Sequence, residues 1–391
     1  PTTSAPIVKY QPTLQTAVSG AARFDHDPTT GESKGLLIEE ARTNLNASSI
    51  VFGNNNESTS TTAALLAPDG TLAASKIVEN TASSEHGVTL PTVTFASGTT
   101  YTFSVFAKSD GVRTGVRLLL PASNFGNNKM CIYNISNGTL INGTGSSAPD
   151  ASSITDVGNG WYRCTITDAA TADGGATAAQ IRIDNDPSDT SISYAGNGFN
   201  GIFLWGAQIE VGSFPTSYIP TSGSTVTRAA DAAAITGSNL TYAISQTSGT
   251  LYGSGVANET GTAGSKPRLA VLYLASDTGI NKNSISLQRN NGALEGGIYY
   301  NGVVQTYFFG DNNQLANYAT GKAALGYELN SANLGSNGTI ETTDTVVNAP
   351  YVDVLKIGGS GYGQFWNGTI DKIAIYPKRL SNATLQAMTE E

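Results

Sequence analysis

Ile202 to Asp231 reads IFLWGAQIEVGSFPTSYIPTSGSTVTRAAD, and this stretch decides how the chain is divided. Up to Ile209 it alternates bulky and small residues as a strand does, after which Gly212, Pro215 and Pro220 forbid regular structure. A new unit therefore starts beyond it. Pro215 and Pro220 bracket Tyr218 and Ile219, two large side chains that a free linker has no use for, so the spacing predicts a strap pinned onto one domain. Trp205 shares the strand's face with Phe203, Ala207 and Ile209 and is expected in the core.

Working outward, the chain has 391 residues, enough for two to three domains. Only 13% of residues are charged, about half the usual share, while Gly alone numbers 44. Ser, Thr, Asn and Gly in this proportion suit the tight turns of all-β folds. The net charge of -9 argues against nucleic acid or anionic membrane as partner, since phosphate binding needs clusters of Lys and Arg. The longest apolar run, Val116 to Pro121, is too short for membrane insertion. The first residue is Pro rather than Met, which leads to the expectation of a trimmed or partial product with residues upstream.

Helical periodicity is nearly absent. Thr100 to Phe106 alternates Tyr101, Phe103 and Val105 with Thr102 and Ser104, the pattern of a half-buried strand. Met130 to Ile135 with Leu140-Ile141, and Ile154 to Val157 with Trp161 to Thr167, read as hairpins, and Gln180 to Asp184 completes the set with the strand ending at Glu210. Even spacing of this kind indicates a sandwich or jelly roll. Beyond the strap, strands are expected from Gly249 to Tyr376, with a hairpin turn at Asn301-Gly302, and a short helix over Ser381 to Glu390 with Ser381 as its cap. The expected fold is all-β: an antiparallel β-sandwich (jelly roll) followed by a second β-sandwich with a short C-terminal helix. The boundaries are 1–44 for an N-terminal arm, 45–211 for the jelly roll, 212–231 for the strap and 232–391 for the second sandwich.

The functional residues are less plainly marked. Tyr162, Cys164 and Ile166 form the apolar face of their strand, so Trp161 and Arg163 point the other way, and Trp161 is expected near a surface. Trp366 opens a strand, with core and surface equally open. Tyr299, Tyr300, Tyr307, Phe308 and Phe309 gather around Asn301-Gly302, and since alternation buries one face only, some of them form a subunit interface or a glycan platform. Trp161, Arg163, Tyr307 and Trp366 are the candidate glycan-binding residues. No cofactor is expected; Asp311, Asn312 and Asn313 offer oxygens for calcium at a spacing that fits no known loop. Cys131 and Cys164 read as buried reduced thiols rather than a disulfide, and with His26 and His86 alone they do not make a zinc site. Asn142, Asn337 and Asn367 head Asn-Gly-Thr triplets, read as turns. Asp25, Asp27, Glu39, Glu40 and Arg42 concentrate charge near the N-terminus, where ion pairing of the arm is favoured over a cation or catalytic site. Gly-x-Ser-x-Gly, His-Glu-x-x-His and phosphate-loop motifs are missing, so no catalytic residue is assigned.

Four runs carry a family resemblance. Phe24-Asp25-His26-Asp27-Pro28 with Gly35 to Asn44, Gly98 to Lys108, Gly160-Trp161-Tyr162-Arg163, and Trp205 to Glu210 resemble, in this order, a module of bacteriophage tail-fibre and head-spike proteins that is similar to a carbohydrate-binding-module jelly roll. Lys322 to Tyr327 and Trp366 to Ser381 resemble a concanavalin-like (laminin-G-like) sandwich. The resemblance implies a homotrimer on the virion surface, attached to other virion proteins through its N-terminal side and meeting host surface polysaccharide. A carbohydrate-binding module of a secreted bacterial adhesin, and a polysaccharide depolymerase, are the alternatives.

Overall fold

The computed structural model describes residues 13–143, 145–188, 191, 193–258, 266–277, 279, 281–310, 319–345, 347–359 and 364–390. Antiparallel strands dominate, and among the described residues no helix is long and apolar enough to cross a membrane. The chain divides into two compact units. One is built mainly from Ala41–Arg228, the other from Ala17–Asp27, Glu32–Glu40 and Ala229–Glu391. Residues 1–44, read from sequence as an arm, thus contribute strands Phe24–His26 and Ser33–Ile38 to the second unit and Arg42–Asn44 to the first.

The first unit is a sandwich of two six-stranded sheets among its described residues. One runs Ala151–Gly158, Trp161–Ala169, Thr100–Ser109, Gly201–Val211, Leu72–Glu79 and Ser58–Leu66 in spatial order; the other runs Thr139–Asn142, Lys129–Asn134, Gly115–Leu120, Gln180–Asp184, His86–Thr89 and Asn54–Asn56. Phe103, Val105, Leu118, Tyr133, Ile166, Ile181 and Leu204 fill the space between them. Fully burying side chains of this size contributes about 1.5 to 3 kcal/mol each. Cys131 and Cys164 are buried thiols of this core, not joined in a disulfide, and desolvation pushes both up from their ordinary value. Buried thiols held protonated behave as small apolar groups.

The other face of the first of these sheets is roofed. Asn44, Asn46 and Ser49 run along one side of the roof, and residues 212–221 run over the other. Alternation in Gly201–Val211 breaks between Trp205 and Gln208, where a bulge interrupts pairing with Thr100–Ser109. Gly206 sits at φ +64°, and a Cβ there would lie 2.9 Å from Phe106 Cδ2. The bulge resets the pattern: Ile202 and Leu204 enter the main core, Trp205 turns outward to Phe106, and Ala207 and Ile209 turn inward again. Trp205 is buried as expected, but on the opposite face from Ala207 and Ile209, because alternation does not survive an inserted residue.

The outward side chains then secure the strap. Gln208 Oε1 accepts the Ile219 N–H at 2.8 Å, while Glu210 accepts the Thr216 N–H at 3.0 Å and its hydroxyl at 2.7 Å. Gln208 Nε2 donates to Glu210 Oε1 at 2.7 Å. Tyr218 packs on Trp205, and Ile219 is buried. The pinning expected from Tyr218 and Ile219 is present, and the Trp-Gly-Ala-Gln-Ile-Glu run is its foundation.

The second unit is also a sandwich. Phe24–His26, Ser33–Ile38, Gly368–Tyr376, Ser248–Ala257, Thr320–Glu328, Ser331–Ser336 and Thr339–Ile340 form one sheet. Ala233–Thr236, Val354–Ile357, Arg268–Tyr273, Ser284–Asn290, Ala293–Tyr300 and Val303–Phe309 form the other. Leu251, Leu272, Ile285, Leu287, Ile298 and Leu325 pack between them. Asn301 (φ +49°) and Gly302 (φ +80°) make the tight turn that their sequence predicts. The closing helix is Asn382–Glu390, with Ser381 Oγ accepting the Thr384 N–H at 3.2 Å. Arg23 bridges Glu39 at 2.9 Å and also pairs with Asp231, and the Glu40 N–H donates to Asn367 Oδ1 at 2.9 Å. The dense charges around residues 39 and 40 therefore serve structure, as favoured from sequence.

Candidate functional site

The four candidate glycan-binding residues take different places. Trp161 faces outward, as its alternation requires, but is only 2% exposed. It packs with Phe106, Trp205 and Ala74 and donates from Nε1 to the Leu66 carbonyl at 3.2 Å. Its expected surface position is corrected: the face was right, and the roof over that face was invisible to a strand-by-strand reading. Arg163 lies on the same side, flattened over the Phe106 ring at 5.3 Å and donating to Ser104 Oγ at 2.9 Å. Trp366 is core, 1% exposed, with Nε1 donating to the Thr369 carbonyl at 3.1 Å. Asn367 beside it is buried, at φ +50°, and hydrogen-bonds Glu40.

Tyr307 is half-buried. It lies on the outer face of the sheet Ala233–Thr236 to Val303–Phe309, and the strand registers place three rows of side chains there. Lys356, Val271, Ser286, Gly297 and Tyr307 are successive cross-strand neighbours in the middle row. Arg268, Gln288, Glu295 and Phe309 form the row on one side. Val354, Tyr273, Ser284 and Tyr299 form the row on the other. Val271, Ser286 and Gly297 at the centre are buried, and Tyr273, Tyr299 and Tyr307 around them are half-buried. Gly297 is needed here because the Tyr307 ring lies over it: a Cβ would come within 3.1 Å of Tyr307 Cδ2.

The polar groups on this face are tightly linked. Gln288 Nε2 donates to Glu295 Oε2 at 2.7 Å, Asn290 Nδ2 donates to Glu295 Oε1 at 2.9 Å, and the Tyr307 hydroxyl also donates to Glu295. Lys266 Nζ reaches Glu295 at 3.3 Å and the Tyr307 hydroxyl at 2.9 Å, and sits 4.8 Å from the centre of the Tyr307 ring. Burial, with Glu295 beside it, pushes the Tyr307 hydroxyl well above its ordinary value, so it stays protonated and can act as a donor. Phe309 is 64% exposed, its ring 5.1 Å from that of Tyr307. Phe308, the residue between them, is buried in the core. Alternation thus sorts the aromatic cluster as the sequence suggested.

Sequence reading missed Arg268. A bulge between Arg268 and Ala270 lets Leu269 and Ala270 both enter the core while Arg268 stays on the outer face, which disguises its alternation. Its one signal was a cation after Pro267 in a charge-poor chain. Arg268 Nη1 donates to Ser286 Oγ at 2.9 Å and Nε to Gln364 Oε1 at 3.2 Å. Asp311, Asn312 and Asn313, the calcium alternative, lie outside the described residues. Among the described residues no group of three or more His, Cys, Asp or Glu is gathered as for a metal ion.

No family model matches the chain, and no curated protein matches it significantly. Solved structures with a similar arrangement include a carbohydrate-binding domain. This is the Ruminococcus gnavus IT-sialidase CBM40, 16% identical, with 38% of this chain and 85% of that one covered and a TM-score of 0.33. A SAP-like pentraxin from Limulus polyphemus is 12% identical over 36% of this chain and 69% of that one, with a TM-score of 0.30. A leech intramolecular trans-sialidase is 17% identical over 40% of this chain and 26% of its own, with a TM-score of 0.33. Each likeness spans a minority of this chain.

Proposed function

We propose that this chain is a non-catalytic glycan-binding protein, and that it binds through the outer face of the sheet carrying Tyr307. The observation that carries the reading is the 64% exposed Phe309 ring, 5.1 Å from that of the half-buried Tyr307, on a face that also bears Tyr299 and has the Lys266 ammonium beside it. Sugars are held by this combination, with aromatic rings stacking on the apolar face of the pyranose and amide, carboxylate or ammonium groups meeting the hydroxyls.

Hydrolysis is disfavoured at this face. It requires two carboxylates flanking the scissile bond, roughly 5 to 9 Å apart. Glu295 is a lone carboxylate among the groups described on this face, and Lys266, Gln288, Asn290 and Tyr307 already occupy it.

The finer proposal is that the glycan belongs to a host cell surface and that this chain displays its sandwiches from a bacteriophage virion as a homotrimer. Its support is the order of four sequence runs, from Phe24-Asp25-His26-Asp27-Pro28 to Trp205-Gly206-Ala207-Gln208-Ile209-Glu210, that resemble tail-fibre and head-spike modules. Retention of the purified chain on immobilised bacterial surface polysaccharides tests the binding. Peptide mass spectrometry of purified particles tests the location. Silence across the polysaccharides would remove the glycan reading, and absence of the chain from particles would remove the virion reading while leaving the other intact.

A further inference from the structure

Arg268 is 6% exposed, and no carboxylate stands within ion-pairing distance of it among the described residues. Its two hydrogen bonds go to neutral side chains, Ser286 and Gln364. The Nη2 donors and one Nη1 donor are left without an acceptor among the described residues.

Two other buried arginines meet a carboxylate: Arg117 meets Asp184 at 2.5 Å and Arg182 meets Glu85 at 3.2 Å. Taking a guanidinium out of water without a counter-charge is costly, and proteins rarely do so without a reason. The nearest carboxylate of the face, Glu295, is already claimed by Lys266 at 3.3 Å. Lys356 stands in the middle row of the same face, cross-strand from Val271. Among the described residues, three cations, Arg268, Lys266 and Lys356, thus stand at this face with one anion, Glu295, in a chain whose net charge is -9.

We infer that this face takes an acidic sugar, with Arg268 receiving the carboxylate of a uronic or similar sugar acid while Tyr299, Tyr307 and Phe309 hold the ring. The inference rests on the glycan-binding reading above and narrows its ligand class. A carboxylate suits a guanidinium better than a hydroxyl does, because the planar fork of donors matches the two oxygens and the bonds are charge-assisted. Phe309, 64% exposed, ends the cross-strand row that Arg268 begins. Burial acts on the Arg268 guanidinium by lowering its pKa, offset in part by Tyr307, Tyr299 and Glu295. An arginine nevertheless keeps its proton at neutral pH.

The test is a titration of the full chain with oligogalacturonate and hyaluronan oligosaccharides, each alongside its methyl-esterified form, which is the same sugar without the charge. Arg268→Gln and Arg268→Lys are run in parallel, and circular dichroism checks that each variant is folded. The expected result is binding of an acidic oligomer, at least roughly tenfold weaker for its ester and for Arg268→Gln, with partial recovery in Arg268→Lys. Equal binding of acid and ester by the unaltered chain overturns the acidic-ligand inference, even if Arg268→Gln fails to fold, and leaves the glycan reading standing. If neither form binds, and neutral polysaccharides are not retained either, the glycan reading falls and this inference falls with it.

Discussion

The ring of Tyr218 lies 4.3 Å from that of Trp205, and the Tyr218 hydroxyl hydrogen-bonds Ser49 Oγ at 2.6 Å. A residue of the strap therefore joins a residue of the sheet beneath it to one on the far side of the roof. Desolvation pushes the Tyr218 hydroxyl up to about 12, so the phenol stays neutral through the physiological range.

Replacing Tyr218 should free the strap before it unfolds the sandwich. Tyr218→Ala is expected to cost about 2 to 4 kcal/mol, and Tyr218→Phe about 1 kcal/mol from the lost hydroxyl contact. Limited proteolysis reads the outcome: cleavage between residues 212 and 227 accelerates in Tyr218→Ala and scarcely changes in Tyr218→Phe. Strap cleavage as fast in the unaltered chain as in Tyr218→Ala would contradict the pinning.

Trp161 and Trp366 are expected to behave as core residues. Trp161→Ala and Trp366→Ala should each destabilise the unit that carries them by about 3 to 5 kcal/mol, as large deletions from packed interiors do. Denaturant unfolding followed by far-UV circular dichroism checks this, and a Trp161→Ala protein of unaltered stability would restore that side chain to the surface.

Phe309 gives the complementary case. With most of its ring in solvent, Phe309→Ala should leave the melting temperature within about a degree or two and weaken glycan retention several-fold. Affinity electrophoresis in a polysaccharide gel measures it, and undiminished retention would exclude Phe309 from the binding face.

Acid should loosen the first unit through Glu79. Burial raises this carboxyl, but hydrogen bonds from Arg113, Tyr194 and the Asn197 amide outweigh burial and hold it below its ordinary value of 4.5. A carboxyl depressed in the folded state contributes stability that is complete above its unfolded value and is lost as pH falls through the folded one. The unit should therefore weaken progressively below about pH 4.5. Glu79→Gln should lower stability at pH 7 and flatten that acid limb, as followed by melting temperature against pH. An acid limb of undiminished steepness in Glu79→Gln would assign the effect to other groups, Asp110 first among them, since its net shift is also downward despite burial.

Strands were legible wherever alternation was regular. Thr100–Ser109, Trp161–Ala169, Ser284–Asn290 and Val303–Phe309 follow the periodicity of their sequences closely. Strands Ser58–Leu66 and Leu72–Glu79 escaped notice because Ser, Thr and Ala provide little hydrophobic contrast between faces. At the candidate site Tyr307 was legible from the crowding of aromatics around a tight turn. Arg268 was not, since a bulge shifts its alternation and nothing local reveals that no carboxylate lies near. Trp161 misled for a related reason: period-two patterning assigns a side chain to a face, and only distant chain decides whether that face is covered.

Leu37 pairs with Thr369, so a strand near the start of the sequence completes a sheet whose next strand comes near the end. The first unit intervenes, its own boundaries drawn together where Arg42–Asn44 pairs with Val226–Arg228. On the ribosome this order has a price: Ser33–Ile38 emerges early and waits through synthesis of everything up to Gly368–Tyr376 before its neighbour exists. An unpaired strand edge invites pairing with neighbouring nascent chains. Truncations that remove Gly368–Tyr376 should therefore yield a soluble first unit tethered to an aggregating remainder, and Ala41–Arg228, expressed by itself, is the natural piece to excise.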